Sequence, residues 1–281
     1  MHNWKDKVCV ITGAASGIGA GLAQHAAGLG MRVIAADVDA AGLQRLADGN
    51  PAIETRSVDV SQAEDVEALA ASVFSSHGVV NLLFNNAGVL VDGKSWERSE
   101  RDWRWNLDVN IMGVVNGIRS FVPRMLAQGQ YGRIINTSSV GGLLGGGNFL
   151  GPYQASKHAI AAITESLFQE LRLEAAPITA SCLCPGEVAT GIWESGRLRE
   201  ESERYELASS TEQQFHDAVS DMVEQGLTPG EFATRVWAGI EADKFWILPQ
   251  PEFKPMYQLR VDSVMNETSP LGTADMLAPA D

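Results

Sequence analysis

The sequence predicts an α/β protein, one domain built on a doubly wound parallel sheet of seven strands. Three observations predict it. Short apolar runs rich in β-branched residues alternate with longer segments of helical period across residues 8–248. Several of those runs are almost wholly apolar, as strands covered on both faces must be. The first run leads through a glycine-rich turn, Thr12-Gly13-Ala14-Ala15-Ser16-Gly17-Ile18-Gly19, into a helical pattern.

The elements follow in order. Residues 8–12 (VCVIT) are an unbroken apolar strand, and 17–29 carry the helical period after the turn. Residues 32–37 (RVIAAD) form the second strand, ending on Asp37, with a helix over 40–47. The third strand is 53–59, ending on Asp59, and a helix over 63–77 follows. Residues 81–85 and 132–138 are strands on either side of one long helix, 99–128. A second long helix, 153–175, precedes the strand 178–184, and a helix over 229–243 precedes the last strand, 245–248. Strands that alternate with helices are joined by right-handed crossovers, which makes the sheet parallel. No linker divides residues 1–250. Residues 190–226 are charged and carry no strand, and read as a mobile lid over a site. Residues 251–281 read as a polar tail that wraps the surface or ends without order.

At 281 residues, with 45% hydrophobic and 20% charged residues, the chain can bury a substantial core. A formal net charge of −14 argues against nucleic acid or an anionic membrane as partner. No apolar run approaches the roughly 18 residues of a membrane span, and the N-terminus has no apolar signal core. Cys9, Cys182 and Cys184 cannot build a disulfide framework, which points to a reducing, cytoplasmic setting. The five histidines are dispersed, so no metal site is expected.

Two constellations carry chemistry. Gly13, Gly17 and Gly19 permit a tight turn, close backbone approach to a pyrophosphate and close packing of helix on sheet. With Ser16 and Ile18 they place free N–H groups and a positive helix end at one spot. Asp37, about 20 residues further on, stands where a carboxylate accepts from the ribose 2′-hydroxyl. A 2′-phosphate would be repelled there, and Val38 follows rather than Arg, so NAD is the expected cofactor. The other pair is Tyr153 and Lys157, at i and i+4 on one helix face. An ammonium lowers the pKa of a neighbouring phenol, which makes the pair a proton donor and acceptor for an alcohol or ketone.

With these motifs in place the chain resembles the short-chain dehydrogenase/reductase family, over roughly residues 5–250. The resemblance rests on Thr12-Gly13-x-x-x-Gly17-x-Gly19, Asp59-Val60, Asn85-Asn86-Ala87-Gly88, Asn110, Ser139, Tyr153-x-x-x-Lys157 and Pro185-Gly186-x-Val188-x-Thr190. It implies a single-domain Rossmann fold with seven parallel strands, and homodimers or homotetramers formed through the two long helices. It implies a catalytic set of Asn110, Ser139, Tyr153 and Lys157. Asp59 and Val60 would flank the adenine. Asn86, Ala87 and Gly88 would form the floor under the riboses. Pro185, Gly186, Val188 and Thr190 would hold the carboxamide. Tyr153 and Lys157 would also contact the cofactor. Ser138 is a rival for Ser139, which is preferred because it immediately precedes the turn Val140-Gly141-Gly142. The interval from Ser139 to Tyr153 is one residue longer than the family pattern, and the glycines of 141–147 can absorb it.

The implied reaction interconverts a secondary alcohol and a ketone. Leu144, Phe149, Leu150, Trp193 and the lid could line a pocket for a bulky apolar substrate. The segments 226–231 and 246–249 resemble a bacterial subgroup that oxidises benzylic alcohols of lignin-derived aryl ethers. Two other functions share the motifs. A catalytically silent dinucleotide sensor would have lost Tyr, Lys or Ser. A dehydratase or epimerase would carry a larger substrate domain after the sixth strand.

Overall fold

The computed structural model describes residues 3–270 and 272. Seven strands are hydrogen-bonded in the order β3-β2-β1-β4-β5-β6-β7, every pair parallel. They are β1 (Val8–Thr12), β2 (Arg32–Asp37), β3 (Ile53–Ser57), β4 (Leu82–Asn85), β5 (Gly132–Thr137), β6 (Ile178–Leu183) and β7 (Trp246–Ile247). The helices are α1 (Gly17–Gly28), α2 (Ala40–Asp48), α3 (Ala63–His77), α4 (Glu100–Leu107), α5 (Gly113–Ala127), α6 (Gly141–Leu144), α7 (Gly151–Leu173), α8 (Ser210–Glu224), α9 (Pro229–Glu241) and α10 (Lys254–Met265).

Side-chain alternation along β1 shows why the sheet needs helices on both faces. Cys9 and Ile11 point to one side, where Leu22 of α1 and Phe232 and Trp237 of α9 cover them. Val8 and Val10 point to the other, against Leu69 of α3, Phe121 and Met125 of α5 and Leu167 of α7. All five residues of β1 are buried, so the strand reads as a continuous apolar run. Gly21 of α1 lets that helix meet α9 closely, since a Cβ there would lie 2.8 Å from Pro229 Cβ.

One expectation is corrected, and two segments gain detail. The long helix over 99–128 is α4 and α5 joined by a π-helical turn, Asp108–Met112. A wide turn of this kind changes the apolar stripe too little to show in periodicity, and it re-aims one buried side chain, Asn110. The segment 190–226 carries no strand, as expected, and has helical structure of its own. It holds a 3₁₀ stretch, Gly191–Leu198, and α8, N-capped by Ser209. Polar pairs tie it to the chain before α4 and to α4 itself: Tyr205 donates to buried Asp92 at 2.7 Å, His216 Nδ1 lies 2.8 Å from the same carboxylate, and Arg199 pairs with Asp102 of α4 at 2.6 Å. In the tail, residues 254–265 are helical as α10, entered by a 3₁₀ turn at Pro251–Phe253 that buries Phe253.

Gly117 of α5 provides a test of this packing. A Cβ there would fall 2.7 Å from Asn85 Cγ, and the Asn85 amide is held by Asn136 Oδ1 at 2.8 Å, so it cannot swing away. Helix propensity alone favours Gly117→Ala by about 1 kcal/mol, while overpacking costs about 1–3 kcal/mol. The expected outcome is a lower urea midpoint. A raised midpoint would show that β4 yields and that α5 is not wedged against it.

Candidate active site

The C-terminal ends of β1, β4, β5 and β6 open onto one cavity. Its floor is set by Thr12, the last residue of β1. The Thr12 hydroxyl donates to Phe84 O at 3.3 Å and accepts from Asn86 N at 3.0 Å and Ala87 N at 3.1 Å. The Asn86 amide returns a bond to Thr12 O at 3.0 Å. The turn after β4 is thereby bound to the turn after β1.

The glycine loop is close to its neighbours by necessity. Gly13 has φ +66°, and a Cβ on it would lie 2.7 Å from Ala87 Cα. Ser16 precedes α1 without a side-chain cap, so the N–H groups at the start of that helix are open to an anion. Gly17 has φ +52°, and Thr190 Cγ2 would be 2.8 Å from a Cβ there, so the start of segment 190–226 sits directly on the loop. Asp37 accepts from Ala15 N at 2.9 Å and Asp39 N at 3.0 Å, which fixes its carboxylate at the loop's edge. Asp59 lies two residues beyond β3 and accepts from Ser61 N and Oγ at 2.9 and 2.7 Å. Every residue the sequence assigned to a cofactor, from Gly13 to Thr190, lines this cavity, and so does Ser139.

Tyr153 and Lys157 stand on the first turns of α7, with the Lys157 ammonium 5.6 Å from the centre of the Tyr153 ring. Lys157 is buried and donates to Thr137 O at 3.0 Å. Burial pushes its pKa down to about 8, against a smaller opposing pull from the neighbouring Cys182 and Cys184 thiols. Burial also raises the Tyr153 pKa, and the hydrogen bond with Ser139 only partly offsets it. The expectation that the ammonium lowers the phenol's pKa is therefore not met by the chain alone: loss of solvent outweighs it. Ser138 and Ser139 both line the cavity; Ser138 donates its hydroxyl to Lys157 O at 2.7 Å, and the Ser139 hydroxyl accepts from Gly141 N at 3.0 Å.

Asn110 does not reach the cavity wall. It is fully buried in the π turn, accepting from Val89 N at 2.8 Å and donating to Val89 O and Ser156 Oγ, each at 2.9 Å. Asn106 donates to the same Val89 carbonyl at 3.1 Å. Sequence reasoning missed this second asparagine and the roles of Thr12 and Thr137. It also missed Gln250, Phe253 and Met256, of which Phe253 and Met256 line the cavity and Gln250 braces Gly186. A signal was present in the tail: Phe253, Met256, Tyr257 and Arg260 recur at helical spacing.

Comparison with known proteins places this geometry. The family model for short chain dehydrogenases matches residues 7–201. A CLA biosynthesis dehydrogenase/reductase of Lactiplantibacillus plantarum is 30% identical over 281 residues, covering 96% of this chain and 97% of that protein. A C alpha-dehydrogenase of Sphingobium is 31% identical over 277 residues, covering 96% and 89%. The crystal structure of a short chain dehydrogenase/reductase from Burkholderia phymatum in complex with NAD superposes with a TM-score of 0.92. It is 37% identical and both chains are covered in full. The chain belongs to the short-chain dehydrogenase/reductase family of oxidoreductases.

Proposed function

We propose that this protein is an NAD-dependent dehydrogenase that interconverts a secondary alcohol and a ketone, with Tyr153 as the acid/base. The observation that carries the reading is the meeting, in one cavity, of the open glycine loop with the Ser139 and Tyr153 hydroxyls and buried Lys157. The residues present fit a dinucleotide. Gly13, Gly17 and Gly19 let the loop close against Ala87, Thr190 and itself where a Cβ would collide, and the uncapped start of α1 offers N–H groups to a pyrophosphate. NAD, when bound, supplies the hydride acceptor.

The chain's own residues do the rest. Ser139 fixes the substrate oxygen by a hydrogen bond, and Tyr153 removes or returns the proton on that oxygen. Lys157, anchored at Thr137 O, offers its remaining protons to a ribose hydroxyl and favours the phenolate. Asn110 acts behind the wall: by holding Val89 and Ser156 it sets the floor on which the lysine works. A π turn leaves a carbonyl without its ordinary helical donor, which suits a water chain to Lys157. The substrate side is lined by Trp105, Leu144, Leu150 and Trp193, which favours a bulky apolar or aromatic alcohol. The relative named C alpha-dehydrogenase is in keeping with a benzylic substrate. Free buried thiols suit a reducing compartment. The exposed faces of α5 and α7 are available for pairing with a second copy as a dimer or tetramer.

The phenol must be deprotonated for oxidation and protonated for ketone reduction. Because burial raises its pKa, oxidation should climb with pH above neutrality and reduction should fall. Tyr153→Phe should lower turnover by about 10²–10⁴-fold with NADH affinity unchanged, followed by absorbance at 340 nm. A Phe variant with wild-type turnover would remove Tyr153 from proton transfer.

Asp37 decides the cofactor. A 2′-phosphate there would meet two carboxylates, Asp37 and Asp39, and the nearby Arg45 already pairs with Asp39 at 3.7 Å. Asp37→Asn keeps an acceptor for Ala15 N and removes the charge. It should move the NADP/NAD ratio of kcat/KM upward by about tenfold, equivalent to about 1.4 kcal/mol. Tighter NADP than NAD binding by the wild type would refute the assignment.

A further inference from the structure

The tail segment from Gln250 to Arg260 lies outside the matched residues 7–201, yet it touches both loops that frame the reacting centre. On the first of them, Gln250 Oε1 accepts from Gly186 N at 2.8 Å, and its amide donates to Glu187 O at 2.6 Å. The Phe253 ring occupies the space where a Gly186 Cβ would stand. On the second, Arg260 Nη1 donates to Leu144 O at 2.5 Å, at the end of α6. The loop that follows needs an external hold. Gly145 and Gly146 have φ +69° and +71°, and Phe149 has φ +59°, a strained position for an aromatic residue. Between these two anchors, Phe253 and Met256 face the cavity, sharing it with Leu144, Met222 and Val223.

We propose that this segment is the substrate-selecting wall of the site. Phe253 and Met256 set the size of the apolar group that is accepted, and Arg260 is a positioning residue that holds the opposite loop at its working distance. The inference rests on the alcohol/ketone reading given above and adds the residues that choose among such substrates. Phe253 is nearly enclosed and braces Gly186, so it is the fixed part of the wall. Met256 is half-buried, unbranched and free of hydrogen bonds, so it is the part that can be resized without disturbing a neighbour. An apolar wall discriminates by a few-fold for each methylene gained or lost.

The test uses the full chain loaded with NAD and three ketones of increasing length: acetophenone, butyrophenone and hexanophenone. Oxidised cofactor and ketone cannot react, so calorimetry reads binding without turnover. Met256→Ala should shift the hexanophenone/acetophenone affinity ratio by about fivefold towards the longer ketone, and Met256→Trp by about as much the other way. Arg260→Ala should raise deuterium uptake of segment 141–150 several-fold while NADH affinity stays as in the wild type. Ratios unmoved within twofold in both Met256 variants overturn the proposal, and so does unchanged uptake at 141–150. Oxidation of 1-phenylethanol by the wild type separates the two levels. Turnover with unmoved ratios refutes the wall alone. Absence of both turnover and ketone binding refutes the alcohol/ketone reading, and the wall falls with it.

Discussion

The cavity exists because the chain leaves β1 and β4 in opposite directions. β1 is followed by β2 on one side and paired with β4 on the other, so the connections at their C-terminal ends diverge and leave a crevice. A crevice of bare backbone at the end of a buried sheet would leave polar groups unpaired, which is costly. Thr12 resolves this with one hydroxyl, which donates to Phe84 O and accepts from two amides of the turn after β4. Gly13 can then approach Ala87, and the glycine loop, the floor of the site and the start of α1 become a single rigid piece. A polar ladder continues the theme deeper, from Asn85 to Asn136 to Thr164 between β4, β5 and α7. The same ladder requires glycine at position 117, so site and core are set by one network.

Much of this was legible in the sequence, and the reason is physical. A parallel sheet buried on both faces announces itself as apolar runs, and glycine at 13, 17 and 19 is demanded by close approach that no side chain permits. Asp37, Asn86, Ser139, Tyr153 and Lys157, all on the cavity wall, stand near such landmarks because strand ends and helix starts place them. The parts that stayed hidden depend on contacts distant in sequence. Asn106 and Asn110 both hold Val89, but only the π turn reveals that they share a target. The charged segment 190–226 looked loose because its polarity is spent inward. Asp92, at 2% exposure, takes Tyr205 and His216, and Asp102 takes Arg199. Buried charges of this kind are stable only as pairs, and pairing across about a hundred residues leaves no periodic trace. The tail differed in another way: Phe253 and Met256 face the cavity, but Leu259, Val261, Val264 and Met265 of the same segment are exposed, so no one-sided apolar stripe marks it.

The electrostatics of the site come from the same enclosure. Moving Lys157 out of water lowers its pKa from 10.5 to about 8. Between those values the unfolded chain holds the proton that the folded chain has lost, so this group makes stability rise with pH. Below about pH 8 its burial opposes folding, by an amount on the order of 3 kcal/mol. The thiols of Cys182 and Cys184, 3.7 Å apart behind it, recover only part of that cost. A structural role does not call for such a residue, since an apolar side chain would fill the same space more cheaply. The enclosure that disfavours the ammonium also disfavours the phenolate and raises the phenol pKa of Tyr153, so the two groups, nearly matched in water, are driven apart in proton affinity. In the proposed reaction the phenolate that oxidation requires must therefore be supported by positive charge at Lys157 beside it. The stability given up at Lys157 is then the cost of holding a cation beside that phenol.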